Sequence, residues 1–227
     1  MKGLAGKAEK VEIDISLPTA LNHLATRSPH LFGVTERIWP KDTGALAIIA
    51  LAFHWIIERE GESELDFERE PGVSFNPRPA RVGLILINDA KVESAAQVAS
   101  GILATATAGD TITTLSAHAA TELFPRNILE LAQLAQLPTS ALLDPLPAEA
   151  MPALAAPAAT IACAIFLDRA RQLHRMTAES RISTWEECFQ ISGNYLSLAE
   201  RHSPPLYTLL KAWERRFRDR LQRQKDA

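Results

Sequence analysis

The apolar run from Gly44 to Ile57 constrains the fold more than any other part of the sequence. Only His54 interrupts it, Asp42 precedes it as a good N-cap, and Gly61 follows as a helix stop. The pattern therefore predicts a helix from Asp42 to Glu60. The run is shorter than the roughly 20 residues that cross a bilayer. A helix that is apolar nearly all round must instead be covered by protein, so the rest of the chain is expected to fold around it.

The first 90 residues also contain patterns typical of short strands. Val, Ile and Ile alternate with acids over Val11–Ile15. Acidic residues occupy every even position from Glu58 to Glu70, and from about Glu64 onward their alternation with Leu65 and Phe67 predicts a strand. Further strands are predicted at Val73–Phe75 and at Arg81–Ile87. These are too few for a doubly wound enzyme fold, so the fold class predicted is mainly α (α+β), with a small N-terminal β-sheet.

The remaining segments predict helices, apart from an irregular stretch between Ser28 and Pro40. Their starts were placed at caps and prolines, and their ends at glycines, prolines or charged turns. The predicted helices are Pro18–Ala25, Asn88 or Asp89 to Ala108, Asp110–Phe124, Pro125–Leu137, Ala158–Met176, Ser183–Arg201 and Leu206–Gln224.

Five prolines between Pro138 and Pro157 predict a connector that divides the chain. Residues 1–137 then form an N-terminal α+β half, with the small sheet and a helical array. Residues 158–227 form a C-terminal half of three helices. The pattern leaves open whether the two halves share one core.

The charges are unevenly distributed along the chain. Hydrophobic residues make up 47 % and charged residues 22 %, which is typical of a globular protein. Residues 211–225 carry seven basic and two acidic side chains, a local charge of +5, while the whole chain carries −3. The rest of the molecule therefore carries −8, and the positive charge is concentrated at the C-terminal end.

The last predicted helix is amphipathic as well as basic. Leu210, Trp213, Phe217 and Leu221 share one face, which we expect to pack on the protein. The opposite surface is predicted to bind a partner through six basic residues: Lys211, Arg215, Arg216, Arg218, Arg220 and Arg223. The alternative is that these basic side chains only solvate the exposed face of an ordinary terminal helix. They could also pair with the acidic segment 58–70 of the same or a neighbouring subunit.

The hypothesis favoured by this charge pattern is a non-catalytic subunit or adaptor of a protein or nucleoprotein assembly, which binds an acidic partner. A protein partner or a homo-oligomer is expected, nucleic acid is an alternative partner, and no membrane is expected. Charges within Val11–Ile15 argue against a signal peptide. The two cysteines, Cys163 and Cys188, have no metal-type or redox spacing, so reduced thiols in a cytoplasmic protein are expected.

Two predicted helices each place a histidine four residues before a glutamate: His54 with Glu58, and His118 with Glu122. This spacing puts both side chains on one helix face, and two such faces could form a four-ligand metal site. Separate structural pairs are the commoner outcome, so no metal and no other cofactor is expected. A metal-dependent enzyme with a composite site is kept as an alternative function.

Three common sequence signatures of catalysis or nucleotide binding are missing. The chain has no Gly-x-Ser-x-Gly elbow, no Gly-x-x-x-x-Gly-Lys phosphate loop and no Gly-x-Gly-x-x-Gly fingerprint. No catalytic residue is assigned on sequence grounds. Whether the protein is an enzyme stays open, and a non-catalytic role is favoured.

Overall fold

The computed structural model describes residues 16–60, 77–106, 118–140, 156–173 and 178–225. Within these ranges the chain is mostly helical and contains no strand. No helix in the described ranges is both long enough and apolar enough to cross a membrane. The helices are α1 (Leu17–Arg27), α2 (Pro29–Ile38), α3 (Thr43–Glu60), α4 (Arg78–Leu84), a π-helical turn (Ile85–Asp89), α5 (Ala95–Leu103), α6 (His118–Leu123), α7 (Arg126–Ser140), α8 (Ala156–Gln172), α9 (Ala178–His202) and α10 (Pro204–Lys225).

Helix α3 lies at the centre of the N-terminal part, as its apolar pattern predicts. Ile49, Phe53 and Ile56 are buried along one side of the helix, and Ala50, Ala52 and Trp55 are buried on its other sides. Helices α1 and α5 pack against it most extensively, and α2 and α4 add smaller contacts. Because α3 is covered from several directions, it fixes where the elements around it can lie.

The start of α3 is held by the predicted cap. The carboxylate Oδ1 of Asp42 accepts the Ala45 backbone N–H at 2.9 Å. Asp42→Ala should lower the free energy of unfolding by about 1 kcal/mol, because one N-terminal N–H loses its acceptor. Asp42→Asn keeps a side-chain oxygen and should cost less than about 0.5 kcal/mol. Urea denaturation of both variants measures these changes. An Asp42→Ala protein as stable as the wild type would show that the cap does not contribute to the free energy of unfolding.

Two buried polar side chains connect α5 to α7. The Ser100 hydroxyl donates toward the carbonyl of Ala96 on its own helix and that of Ile128 across the interface, at 2.8 and 3.0 Å. The Gln136 amide donates to the carbonyl of Ala104 at 3.3 Å. Buried polar groups need such partners, so these bonds fix how the two helices meet.

Helices α8, α9 and α10 pack on one another and continue the same core. Phe166 of α8 stacks on Tyr195 of α9, with ring centroids 4.2 Å apart and planes 3° from parallel. One hydrophobic cluster extends from Ala20 in α1 to Leu210 in α10. The described residues before and after 141–155 therefore contribute to one continuous core.

Two ion pairs fasten α4 and the π-helical turn to α8. The Arg81 guanidinium donates to both carboxylate oxygens of Asp168, at 2.7 and 3.1 Å. The Asp168 side chain is 3 % exposed and that of Arg81 is 14 % exposed. Arg171 donates to Asp89 at 2.7 Å in a more exposed pair. A two-pronged contact of this kind fixes orientation as well as distance.

The predicted strand over Arg81–Ile87 is wrong. This segment forms the end of α4 and most of the π-helical turn. The structure buries four apolar residues of this segment: Val82, Ile85, Leu86 and Ile87. The sequence of the segment therefore lacks the alternation of apolar and polar faces that marks an exposed helix. A short continuous apolar run fits a buried strand and a buried helix equally well, which explains the error. The predicted strands at Val11–Ile15 and Val73–Phe75 lie outside the described residues, as does the acidic segment beyond Glu60.

Several predicted helix boundaries also need correction. Within the irregular stretch Ser28–Pro40, residues Pro29–Ile38 form a helix, because Pro29 suits a first helical turn. Helix α5 begins after Ser94, whose hydroxyl caps it, so Asn88 and Asp89 do not. Helix α9 begins at Ala178, so the predicted capping box at Ser183 lies inside it. Residues 107–117 and 141–155, which include most of the predicted connector, lie outside the described ranges.

Candidate functional site

Helix α10 is anchored to the protein by its apolar side. Leu206, Leu210 and Phe217 are buried. Trp213 stacks on Phe217 with ring centroids 4.7 Å apart, and its indole N–H donates to the carbonyl of Ala170 at 3.1 Å. The predicted apolar stripe therefore packs as expected over these residues. The side chain of Leu221 lies outside the described part.

Three of the predicted basic residues make contacts within the molecule. Arg218 donates to Glu214 at 3.0 Å and lies over the Phe189 ring. Lys211 donates to the Tyr207 hydroxyl at 2.9 Å, and this bond is the largest cause of a raised Lys211 pKa. Arg223 donates to a backbone carbonyl of its own helix at 3.1 Å. These three side chains are exposed, but each already donates a hydrogen bond within the protein.

Arg215 and Arg216 differ from those three residues. Both are exposed, and neither has an ion pair or hydrogen bond within the part of the chain that the structure describes. Their positions on α10 are fixed, because Trp213 and Phe217 on either side are packed. The side chain of Arg220 is outside the described part. Among the described side chains of the predicted basic surface, Arg215 and Arg216 are therefore the two that make no contact of this kind, and Lys211, Arg218 and Arg223 beside them do.

A second cluster lies between α1 and α3. His23 on α1 places its Nδ1 atom 2.8 Å from Nδ1 of His54 on α3 and 3.6 Å from Oε1 of Glu58. One ligand atom from each of the three residues lies within 4.8 Å of the other two. His54 is buried, while the side chains of His23 and Glu58 are 14 % and 41 % exposed. The cluster is therefore buried at His54 and accessible to solvent at Glu58.

The surroundings of His23 favour the neutral form of its ring. Burial and the neighbouring His54 lower the pKa of His23 from its ordinary value of 6.5. Glu58 raises that pKa by less, and Arg27 lowers it slightly further. At neutral pH the His23 ring is therefore uncharged and has a nitrogen lone pair available as an acceptor or a ligand.

The sequence pattern identified only part of this cluster. It correctly placed His54 and Glu58 on one helix, but it grouped them with His118 and Glu122. Glu122 is exposed, and the side chain of His118 lies outside the described part. The residue that meets the pair is His23. Its position beside the buried residues Ala20 and Leu24 of α1 was the signal that could have indicated a helix interface.

The two cysteines are unbridged and buried. The Cys163 thiol donates to the Tyr195 carbonyl at 3.5 Å, and burial raises its pKa to about 12. A thiol with so high a pKa is almost wholly protonated at neutral pH. Cys163 therefore suits a packing role rather than nucleophilic chemistry.

No family model, curated protein or solved structure matches this chain. Function must therefore be inferred from the chain's own residues. Within the part of the chain that the structure describes, the Arg215–Arg216 pair and the His23–His54–Glu58 cluster are two arrangements that could bind something outside the chain.

Proposed function

We propose that the protein is a non-catalytic subunit or adaptor in a cytoplasmic assembly, and that it binds an acidic surface of a protein partner through α10. The observation that carries this proposal is the exposed Arg215–Arg216 pair, which makes no ion pair or hydrogen bond within the described residues. Arginine is well suited to this role, because its planar guanidinium group binds carboxylates through two parallel hydrogen bonds.

The anchoring of α10 supports the proposal. A binding helix that is already packed loses little further backbone freedom when a partner binds. Trp213 and Phe217 hold the backbone on either side of the pair, and Leu206 and Leu210 are buried earlier in the helix. The arginines are thus presented from a fixed base, and only their side chains need to be ordered on binding.

The charge distribution favours a protein over nucleic acid as the partner. Nucleic-acid binding domains usually carry a broad basic surface, and their affinity depends on neutralising several phosphates. Here the overall charge is −3, and Asp219 is exposed on α10 between Arg215 and Arg223. A small cationic area within an acidic molecule suits local pairing with carboxylates better than tracking along a phosphate backbone.

The experiment is affinity purification of three full-length proteins from the native cell: the wild type, Arg215→Glu/Arg216→Glu and a matched control. The control, Arg37→Glu/Arg201→Glu, makes the same change in net charge at two exposed arginines outside α10. We expect one protein to be retained by the wild type and the control and lost from the α10 variant. Circular dichroism should be the same for all three proteins, because the reversed side chains are exposed.

Two outcomes would contradict the proposal. Equal retention of the same protein by all three baits would show that the arginine pair is not the binding surface. Retention that disappears after nuclease treatment would identify nucleic acid as the partner. A self-association lost only in the α10 variant, measured by light scattering, would identify a second copy of this chain as the partner.

A further inference from the structure

We propose that His23, His54 and Glu58 form a binding site for one divalent transition-metal ion, of which Zn²⁺ is the simplest probe. The site joins α1 to α3, because His23 comes from one helix and the other two residues come from the other. The His23–His54–Glu58 cluster shares no residue and no helix with the Arg215–Arg216 pair, and its ligands are histidines and a carboxylate rather than arginines. A failure of one proposal therefore leaves the other proposal unaffected.

The first argument is the kind and number of donor atoms. Two imidazole nitrogens and one carboxylate oxygen are a common protein ligand set for Zn²⁺ and for Fe²⁺. Three protein ligands leave a fourth position for water or another small ligand. The Glu58 side chain is 41 % exposed, so an ion can reach the cluster from solvent on the Glu58 side without unfolding of the helix pair.

The second argument is the spacing of the donor atoms. Ligands bound to one tetrahedral zinc ion, with bonds of about 2.0–2.2 Å, lie roughly 3.3–3.5 Å from one another. The three donor atoms here lie within 4.8 Å of one another, and the two Nδ1 atoms are 2.8 Å apart. Gathering them around an ion changes these separations by at most about 1.3 Å, which side-chain rotation about fixed helices can provide.

The third argument is that the Nδ1 atoms of the two histidine rings face each other across a position that a cation can occupy. Two Nδ1 lone pairs facing each other at 2.8 Å repel unless a proton lies between them. A metal ion can take the place of that proton if both rings adopt the tautomer with hydrogen on Nε2. The carboxylate of Glu58, 3.6 Å from Nδ1 of His23, then supplies the negative charge that a divalent ion favours.

The site is tested by removing metal from the full-length protein with a chelator, adding Zn²⁺, and measuring bound zinc after gel filtration. We expect one zinc ion per chain and a thermal midpoint that rises with zinc concentration. Loss of groups that merely orient metal ligands costs about 10–100-fold in affinity, so His23→Ala should cost at least about 100-fold. Glu58→Ala should cost at least about tenfold.

Two further variants complete the design. Glu36→Ala removes an exposed acid from α2, outside the cluster, and should bind zinc like the wild type. Glu122→Gln should also bind zinc normally. If His23→Ala fails to fold, Glu58→Ala still tests the site, because its side chain lies partly in solvent. Wild-type protein that retains no zinc, or unchanged affinity in Glu58→Ala, overturns the proposal. Loss of zinc in Glu122→Gln would also overturn it, in favour of a site that includes α6.

Discussion

Replacing Arg81 with methionine is expected to lower the free energy of unfolding by about 3–5 kcal/mol. The reason is that Asp168, 3 % exposed, would keep its charge inside the protein without the guanidinium that now donates two hydrogen bonds to it. Methionine has a similar length, so the loss reports the missing charge pair rather than a large cavity. The measurement is equilibrium denaturation in urea, followed by circular dichroism.

The matched control for this change removes both charges. Arg81→Met/Asp168→Leu replaces the pair with two apolar side chains of similar size, and such replacements are often neutral or stabilising. We expect the double variant to recover most of the stability lost in Arg81→Met. If Arg81→Met alone costs less than about 1 kcal/mol, the pair does not fasten α4 to α8 as described.

The second large effect is expected at Phe166. This ring is buried, stacks on Tyr195 of α9, and meets Trp213 of α10 edge-to-face with centroids 5.9 Å apart. Phe166→Ala removes one ring from contacts that join three helices, and should cost about 3–5 kcal/mol. Phe166→Leu keeps most of the volume and should cost clearly less.

The Phe166 variants also test how α10 is held. Because Phe166 touches Trp213, and Trp213 stacks on Phe217, the alanine variant should loosen α10 before the rest of the protein. Hydrogen exchange should therefore increase in α10 more than in α3. Equal exchange in the two helices, or a stability loss in Phe166→Leu as large as in Phe166→Ala, would contradict this account of the anchor.

The parts of the fold that the sequence predicted well have strong local signals. Helix α3 has a cap at Asp42, a stop at Gly61 and a long apolar run, and its observed bounds agree with that pattern. Helix α10 has a clear apolar stripe, and the structure packs Leu210, Trp213 and Phe217 as the stripe predicts. In both cases the information is contained within about five helical turns of sequence.

The parts that were missed depend on contacts between distant residues. Whether Arg81–Ile87 is a strand or a helix is decided by what covers it, and Asp168 of α8 lies 87 positions away. The meeting of His23 with His54 likewise depends on how α1 packs on α3, which no local pattern encodes. The engagement of Arg218 is different, since Glu214 lies four positions earlier on the same helix and that spacing was readable in advance.

We propose that two fixed, exposed arginines on α10 bind an acidic protein surface. The most direct test is the Kd of the isolated partner protein for the wild type, Arg215→Glu/Arg216→Glu and Arg37→Glu/Arg201→Glu, each over a range of salt concentrations. Like charges brought together at an interface cost several kcal/mol, so the α10 variant should bind at least about 100-fold more weakly, while the control matches the wild type. Wild-type binding should weaken as salt rises. Equal Kd values for all three proteins, with no dependence on salt, would contradict the claim.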